Sequence, residues 1–420
     1  MLIKVTSANS LLVLLRMVFS LISQKALAIL IGADGIAHVG NFKNIISFFE
    51  HFSILGTANG LVKYISEHKN DKQTLRNLFS TTFIFAFSAS LLSFIVLFFF
   101  ANKLNELIFG LSKDFEYIFK LFAFVVPFIA LNAILNSLLN GLSNYKLYSK
   151  VNIFTTIVGT LLIVIFTLNW GLIGSLGAIG IIPLVHFLFI VFFSRRLLSY
   201  IDLKNISFNL SFKKQLLSYG FMTIIVVLSI NVTDIAIRNL IENEINASTA
   251  GYWTAMTSLS KIYMQFLAAL FPLYILPRYS EIINNIEFRN EVKNIYKLLI
   301  PIVFLGMMAI YLLRNFIIKV VYTNEFLAMS SLFKWQLIGD FVKFIALVLS
   351  YQFLAKKQVR NYIFTEIISV LLFYGFSVYF INIYGVEGIV IAHVTRYVLY
   401  LLVVIYILRH SLIGKVKTLD

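Results

Sequence analysis

A chain of 420 residues that is 60% hydrophobic and only 13% charged, with a mean hydropathy of +0.88, lies outside the range of soluble globular proteins. It has no cysteine, which removes disulfides, thiolate metal ligands and a cysteine nucleophile from consideration. A net charge of +16 would suggest a nucleic-acid binder in a soluble protein; in a membrane it follows from the cationic loops that orient helices, and no nucleic-acid partner is expected.

Apolar runs of about 20 residues predict twelve spans, at 9–31, 36–62, 77–101, 117–141, 149–168, 172–194, 215–238, 249–277, 296–313, 329–355, 361–382 and 386–408. The first run is too long for a signal-peptide core and has no small-x-small cleavage site after it, so it reads as a retained span. Alternate connections, together with both termini, hold 22 Lys and Arg residues. The opposite connections hold six: Lys103, Lys113, Lys120, Arg238, Arg314 and Lys319. That asymmetry predicts cytoplasmic termini.

The polar, basic connection 195–214 divides the chain into an N-terminal bundle, 1–194, and a C-terminal bundle, 215–420, of six spans each. The halves resemble one another. Trp170-Gly171-Leu172-Ile173-Gly174 recurs as Tyr384-Gly385-Val386-Glu387-Gly388 at an offset of 214 residues, Lys63-Tyr64 as Arg278-Tyr279 at 215, Gly35 as Gly251 at 216 and Tyr148 as Tyr362 at 214, a near-constant offset. Six spans return the chain to the side it started from, so the repeat is parallel. The expected fold is an all-α membrane protein with twelve transmembrane helices in two six-helix bundles, related by a pseudo-twofold axis along the membrane normal.

Seven cations fall inside the spans: Arg16, Lys25, Lys43, Lys261, Lys334, Lys343 and Arg396. Four acids join them: Glu50, Asp234, Asp340 and Glu366. Because an uncompensated charge inside a membrane is costly, the cationic surplus points to an anionic visitor in a central cavity. Asp340 and Lys343 share one helix face at i, i+3, which suits either a structural ion pair or a wet cavity wall. Lys25 and Lys334 lie near span ends, where a long side chain can snorkel to the interface.

Helical spacing groups these charges into polar faces: Thr254, Ser258, Lys261 and Gln265; Lys43, Ser47 and Glu50; Arg16, Ser20 and Ser23; His393, Arg396, Tyr397 and Tyr400. His393 is either a satisfied core histidine or, beside Arg396, a contact for substrate or proton. Asn132, Asn136 and Asn140 form an i, i+4, i+8 ladder suited to interhelical hydrogen bonds. Asp234 and Arg238, at i, i+4, read as a structural pair. Pro127, Pro272 and Pro277 can kink their spans. The candidate substrate-binding residues are therefore Arg16, Lys25, Lys43, Lys261, Lys343, His393 and Arg396, with Glu50, Asp340 and Glu366 balancing charge or binding a coupling ion.

No G-x-x-x-x-G-K phosphate loop, H-E-x-x-H or G-x-S-x-G motif is present, and no outer connection is long enough to hold a catalytic domain. An enzyme such as a membrane-embedded glycan polymerase is disfavoured on that ground, and neither a cofactor nor a metal site is read. A MATE-like exporter of cationic drugs would share the architecture but calls for an acid-dominated cavity.

Several motifs carry a family likeness: Asn41-Phe42-Lys43, Gly60 with Lys63-Tyr64, Tyr263 with Gln265-Phe266, Phe326 with Met329, and Trp335-Gln336-Leu337-Ile338-Gly339-Asp340 with Lys343. Through them nearly the whole chain resembles the Wzx-type flippases of O-antigen and enterobacterial common antigen (lipid III) intermediates, within the superfamily that also holds the MATE exporters and the lipid II flippases. Lys25 also matches a lysine of that family; Arg16 and Arg396 do not match residues of its pattern. The resemblance implies a bacterial inner-membrane protein that carries an undecaprenyl-pyrophosphate-linked oligosaccharide from the cytoplasmic to the periplasmic leaflet by alternating access. Its implied partners are membrane lipids and, in the same pathway, glycan polymerase and chain-length proteins.

Overall fold

In the computed structural model, residues 2–110, 115–200 and 210–412 are described, and among them the chain is helical with no strand. Lys113, the central part of the predicted linker and the last C-terminal cations lie outside the described residues. The chain divides into two compact units, Met1–Ile235 and Ala236–Asp420, with the division falling inside a helix.

The first unit contains α1 (Leu2–Phe52), α2 (Ala58–Glu67), α3 (Lys72–Phe99), α4 (Ala101–Phe109), α5 (Glu116–Gly141), α6 (Tyr145–Ser194) and most of α7 (Lys213–Glu244). The second contains the end of α7, then α8 (Ala247–Leu270), a π-helical turn Phe271–Ile275, α9 (Leu276–Glu281), α10 (Asn285–Leu312) and α11 (Arg314–Val321). It closes with a 3-10 segment Asn324–Ser331, α12 (Leu332–Ala355), α13 (Val359–Tyr384), α14 (Val386–Ile407) and the short α15 (Arg409–Leu412). Nine helices among the described residues are long and apolar enough to cross a membrane, which makes this a multi-pass membrane protein.

Two of those helices are double. α1 breaks at Gly32, where φ is 65° and ψ −167°, and α6 breaks at Gly171, where φ is 55° and ψ −135°. Only glycine adopts such backbone angles without steric cost. Both breaks fall where the sequence predicts a boundary between consecutive spans.

The offset of 214 residues reappears in the backbone. Gly385 (φ 59°, ψ −142°) repeats the turn at Gly171, and Lys357 (φ 53°) repeats Ser143 (φ 56°). The hydrogen bonds recur as well: Asn144 N–H donates to the Leu139 carbonyl at 2.8 Å, and Gln358 N–H to the Phe353 carbonyl at 2.7 Å. Three residues after each glycine turn lies a second glycine pressed against the helix before it. A Cβ on Gly174 would stand 2.0 Å from the Phe166 carbonyl oxygen, and one on Gly388 would stand 2.3 Å from that of Phe380.

Other boundaries shift for local reasons. The predicted span 36–62 is interrupted at residues 53–57, where Leu55 (φ 52°) and Gly56 (φ 68°) turn the chain before amphipathic α2. α7 meets that turn backbone to backbone, since a Cβ on Gly220 would lie 2.1 Å from the Leu55 carbonyl oxygen. The predicted span 249–277 likewise gives way to the π-helical turn after Leu270.

α3 and α10 begin earlier than hydropathy suggests because capping residues start them. The Asp71 carboxylate accepts from the amides of Gln73 (3.0 Å) and Thr74 (3.1 Å), and Asn284 accepts from the Glu287 amide at 2.8 Å. The hydroxyl and amide of Thr74 also hold the Asp71 carboxyl below the usual carboxylate range. Hydropathy sees the lipid-facing stretch, whereas the hydrogen-bonded helix runs on into the polar boundary.

The glycine geometry gives a contrast to test. Gly174→Ala and Gly388→Ala should each destabilise the protein by roughly 1–3 kcal/mol through overpacking. Gly177→Ala should not, because nothing lies within 4 Å of its added methyl. Thermal melts in detergent check this, and equal melting temperatures for Gly174→Ala and Gly177→Ala would refute the tight turn.

Candidate functional site

The densest polar cluster lies inside the second unit, where α8, α12, α13 and α14 meet. Asp340 on α12 is completely buried. Its Oδ2 accepts from Ser260 Oγ (2.6 Å) and the Tyr263 hydroxyl, both on α8, and from Gln336 Nε2 (3.2 Å) one turn earlier on α12. Its Oδ1 lies 3.0 Å from His393 Nε2 on α14. Donors from three helices thus meet the demands of a carboxylate that would otherwise be expensive to bury.

Gly339 makes this possible. A Cβ there would stand 2.3 Å from His393 Cδ2, so only a residue without a side chain lets the α14 imidazole reach its neighbour Asp340. The Gly-Asp pair in the α12 motif is therefore a steric slot followed by its charge.

Lys343, which shares a helix face with Asp340, forms no ion pair with it among the described residues. Its ammonium turns instead to Tyr397, 5.6 Å from the ring centroid. The Asp340 carboxylate is held by four other donors, three on Oδ2 and His393 on Oδ1. Arg396 lies 4.1 Å from the Phe373 ring centroid and 4.4 Å from that of Tyr397, and donates through Nη2 to the Tyr397 hydroxyl at 2.9 Å. Its Nε is buried without a hydrogen-bond partner. Among the described residues neither Lys343 nor Arg396 forms an ion pair with a carboxylate. Glu366 on α13 accepts from the Tyr400 hydroxyl at 3.1 Å rather than from either cation. Two half-buried cations thus rest on aromatic faces, each contact contributing about 0.5–2 kcal/mol.

Lys261 is exposed on α8, next to Ser260. Of the stripe proposed with it, Thr254 turns inward and accepts from Arg238 Nε at 2.9 Å. Arg238, placed by hydropathy in an outer connection, is a buried residue of α7 over the Trp253 ring at 5.5 Å. The helix runs six residues beyond its predicted end at 238, to Glu244, and carries that arginine inside.

The first unit holds a second polar cluster. Arg16 donates to Asn152 Oδ1, and Asn152 Nδ2 donates to the Tyr148 carbonyl at 2.8 Å. His186 bridges Asn136 Nδ2 and Thr155 Oγ1, both at 3.1 Å. Asn132 Nδ2 donates to the Pro183 carbonyl at 2.7 Å, so two rungs of the asparagine ladder are hydrogen bonds from α5 to α6. The sequence reading passed over His186; the ladder was the available signal, because asparagines on one helix need partners on another. Lys25 is half-buried in α1, while Lys43 and Glu50 are exposed on the part of α1 that follows the Gly32 break. Both lysines belong to the first unit.

A guanidinium with an unused donor, an ammonium beside it and aromatic walls make a receptor for an oxyanion. Asp340 and His393 supply an adjoining pair through which a proton or small cation can be held.

Comparisons with known proteins agree with the fold. The chain is 28% identical to the lipid III flippase of Escherichia coli (strain K12) over 382 residues, covering 90% of each chain. An inward-facing multidrug resistance MATE family transporter of the MOP superfamily superimposes with a TM-score of 0.75 at 15% identity, covering 94% of this chain and 95% of that one. The lipid II flippase MurJ in an inward closed conformation gives a TM-score of 0.75 at 16% identity, covering 97% of this chain and 87% of that one. Residues 37–331 match the family described as polysaccharide biosynthesis protein, and the chain belongs to that family.

Proposed function

We propose that this protein is a flippase that carries a lipid-linked oligosaccharide from the cytoplasmic to the periplasmic leaflet of the bacterial inner membrane. The observation that carries this reading is the state of Lys343 and Arg396: two cations set on aromatic walls, with no ion pair to a carboxylate and one buried guanidinium donor unused. A pyrophosphate supplies the missing charge, and the half-buried Tyr263 offers a ring face to a sugar. The similarity in sequence to a lipid III flippase and in fold to a lipid II flippase supports this class of substrate.

In this reading the Gly32 and Gly171 breaks and α8 bring the spans to twelve, in two six-helix halves, 1–194 and 215–420, joined by 195–214 and related by a pseudo-twofold along the membrane normal, with cytoplasmic termini. Lys343, Arg396 and Lys261 bind the phosphates; Arg16, Lys25 and Lys43 serve the anionic or sugar part from the first half. Asp340, with His393, binds the coupling ion, and Glu50 and Glu366 balance charge when substrate is absent. A drug-exporting relative shares the fold, yet the cationic surplus favours an anionic cargo.

Lys343→Ala should lower flipping of a defined lipid-linked donor in liposomes roughly 10- to 100-fold, the value of one charge-assisted contact, with unchanged protein level. Full activity would remove Lys343 from the site. Arg396→Lys keeps charge but loses the planar fork, so it should remain impaired.

Asp340→Asn is expected to uncouple transport, giving the same rate with and without an imposed proton or sodium gradient. Gly339→Ala, which pushes His393 away from Asp340, should share that phenotype. Gradient dependence equal to the parent protein's in both variants would reject Asp340 as the coupling residue.

A further inference from the structure

α10 carries a basic stripe outside the site described above. Arg289, Lys293 and Lys297 follow i, i+4, i+8 on one face, spread over less than a quarter of the helix circumference. They border an open groove of about 650 Å³ whose walls are Val292, Tyr296, Ile300, Pro301 and Leu412. Basic head and apolar floor thus adjoin within a single groove.

The local bonds preserve this arrangement. Arg289 Nε donates to the Ser411 carbonyl at 2.9 Å, fixing α15 as the far wall of the groove. Tyr296 donates its hydroxyl to the Ile345 carbonyl at 2.7 Å, so its polar end is spent on α12 and its ring is left as wall. Glu291, the acid nearest in sequence, points elsewhere: it accepts from the Tyr274 hydroxyl at 2.6 Å and from Arg278 Nε at 3.4 Å. Lys293 and Lys297 are exposed and form no ion pair among the described residues. Pro301 adds one more feature, because it has no N–H to give to the Lys297 carbonyl four residues earlier. That carbonyl can accept from a hydroxyl held beside the lysine.

We propose that this groove is a binding site for an anionic glycerophospholipid with a hydroxylated headgroup, its phosphate on Lys293 and Lys297 and its acyl chain along Val292, Ile300, Pro301 and Leu412. Charge selects the phosphate. The apolar walls select a lipid over a soluble phosphate, and the proline-freed carbonyl selects a headgroup that can donate a hydrogen bond. α10 begins in the polar boundary and enters the bilayer as a single helix, so the groove lies at the depth where headgroup and acyl chain meet.

The test uses the full-length protein in nanodiscs of phosphatidylcholine doped with phosphatidylglycerol, with native mass spectrometry reading the lipid retained. Lys293→Gln/Lys297→Gln should reduce phosphatidylglycerol retention by roughly 25-fold, about fivefold for each cation near the headgroup plane. Lys69→Gln/Lys72→Gln, an equal charge change on the first unit, should leave it unaltered. Ile300→Trp keeps every charge while filling the groove, and it should also lower retention. Equal loss in the control pair, unchanged retention in the α10 pair, or displacement of the lipid by inorganic phosphate at equal concentration would overturn the assignment.

Discussion

A fully buried carboxylate governs the second unit. Asp340 must keep its charge at bilayer depth or accept a proton, and removing one partner of a buried charged pair typically costs about 3–5 kcal/mol. Ser260, Tyr263, Gln336 and His393 satisfy it from α8, α12 and α14 at once, which fixes those three helices relative to one another. Neither Lys343 nor Arg396 is among those partners. Had Asp340 taken the lysine one turn away, the positive charge would be cancelled locally; because it takes a histidine from another helix, the cations keep their appetite for an anion.

The repeat shows that this charge occupies one half of a repeated frame. Counting back 214 residues, Asp340 corresponds to Val126 and His393 to Ile179, both buried and apolar in the first unit. Lys343 corresponds to Ile129 and Arg396 to Ile182. Further along the same helices the correspondence stays polar: Glu366 and Tyr400 take the places of Asn152 and His186. In the second unit that pair is joined by its own hydrogen bond; in the first, Asn152 serves Arg16 and His186 bridges Asn136 and Thr155. One polar layer is shared by both halves, and the ionisable layer belongs to the second alone. Matching glycine turns at Gly171 and Gly385 preserve the scaffold while its lining diverges.

What could be read from the sequence follows from how local the cause is. The breaks at Gly32, Gly171 and Gly385 were legible because a glycine between apolar runs acts on its own backbone. The early starts of α3 and α10 were less so, since Asp71 and Asn284 cap from outside the apolar stretch that hydropathy detects. The candidate site residues Asp340, Lys343, His393 and Arg396 stood out in the sequence as ionisable groups in the wrong solvent. Their pairing was not: i, i+3 spacing allowed Asp340 to pair with Lys343 and offered no sign of His393, which lies 53 positions away and holds the carboxylate through a slot that only Gly339 leaves open. His186 escaped notice for the same reason, its partners lying on other helices.

The two cationic regions of the second unit differ in the work their surroundings let charge do. At 4 Å a pair of unit charges interacts by about 1 kcal/mol in water and about 4 kcal/mol at the effective dielectric of a protein boundary. Lys343 and Arg396, half-buried against aromatic rings, sit toward the second regime. In the proposed function a phosphate placed there would feel a strong pull and would have to be released by competition or by movement of the helices that hold it. Lys293 and Lys297 sit toward the first, where attraction is weak, screened and quickly exchanged. An anion can therefore be gathered at the α10 groove without being trapped, whereas the α12–α14 cluster can grip one only if something else later takes its place. That asymmetry suits a transporter in which the lipid surroundings and the cargo carry the same phosphate chemistry and must still be told apart.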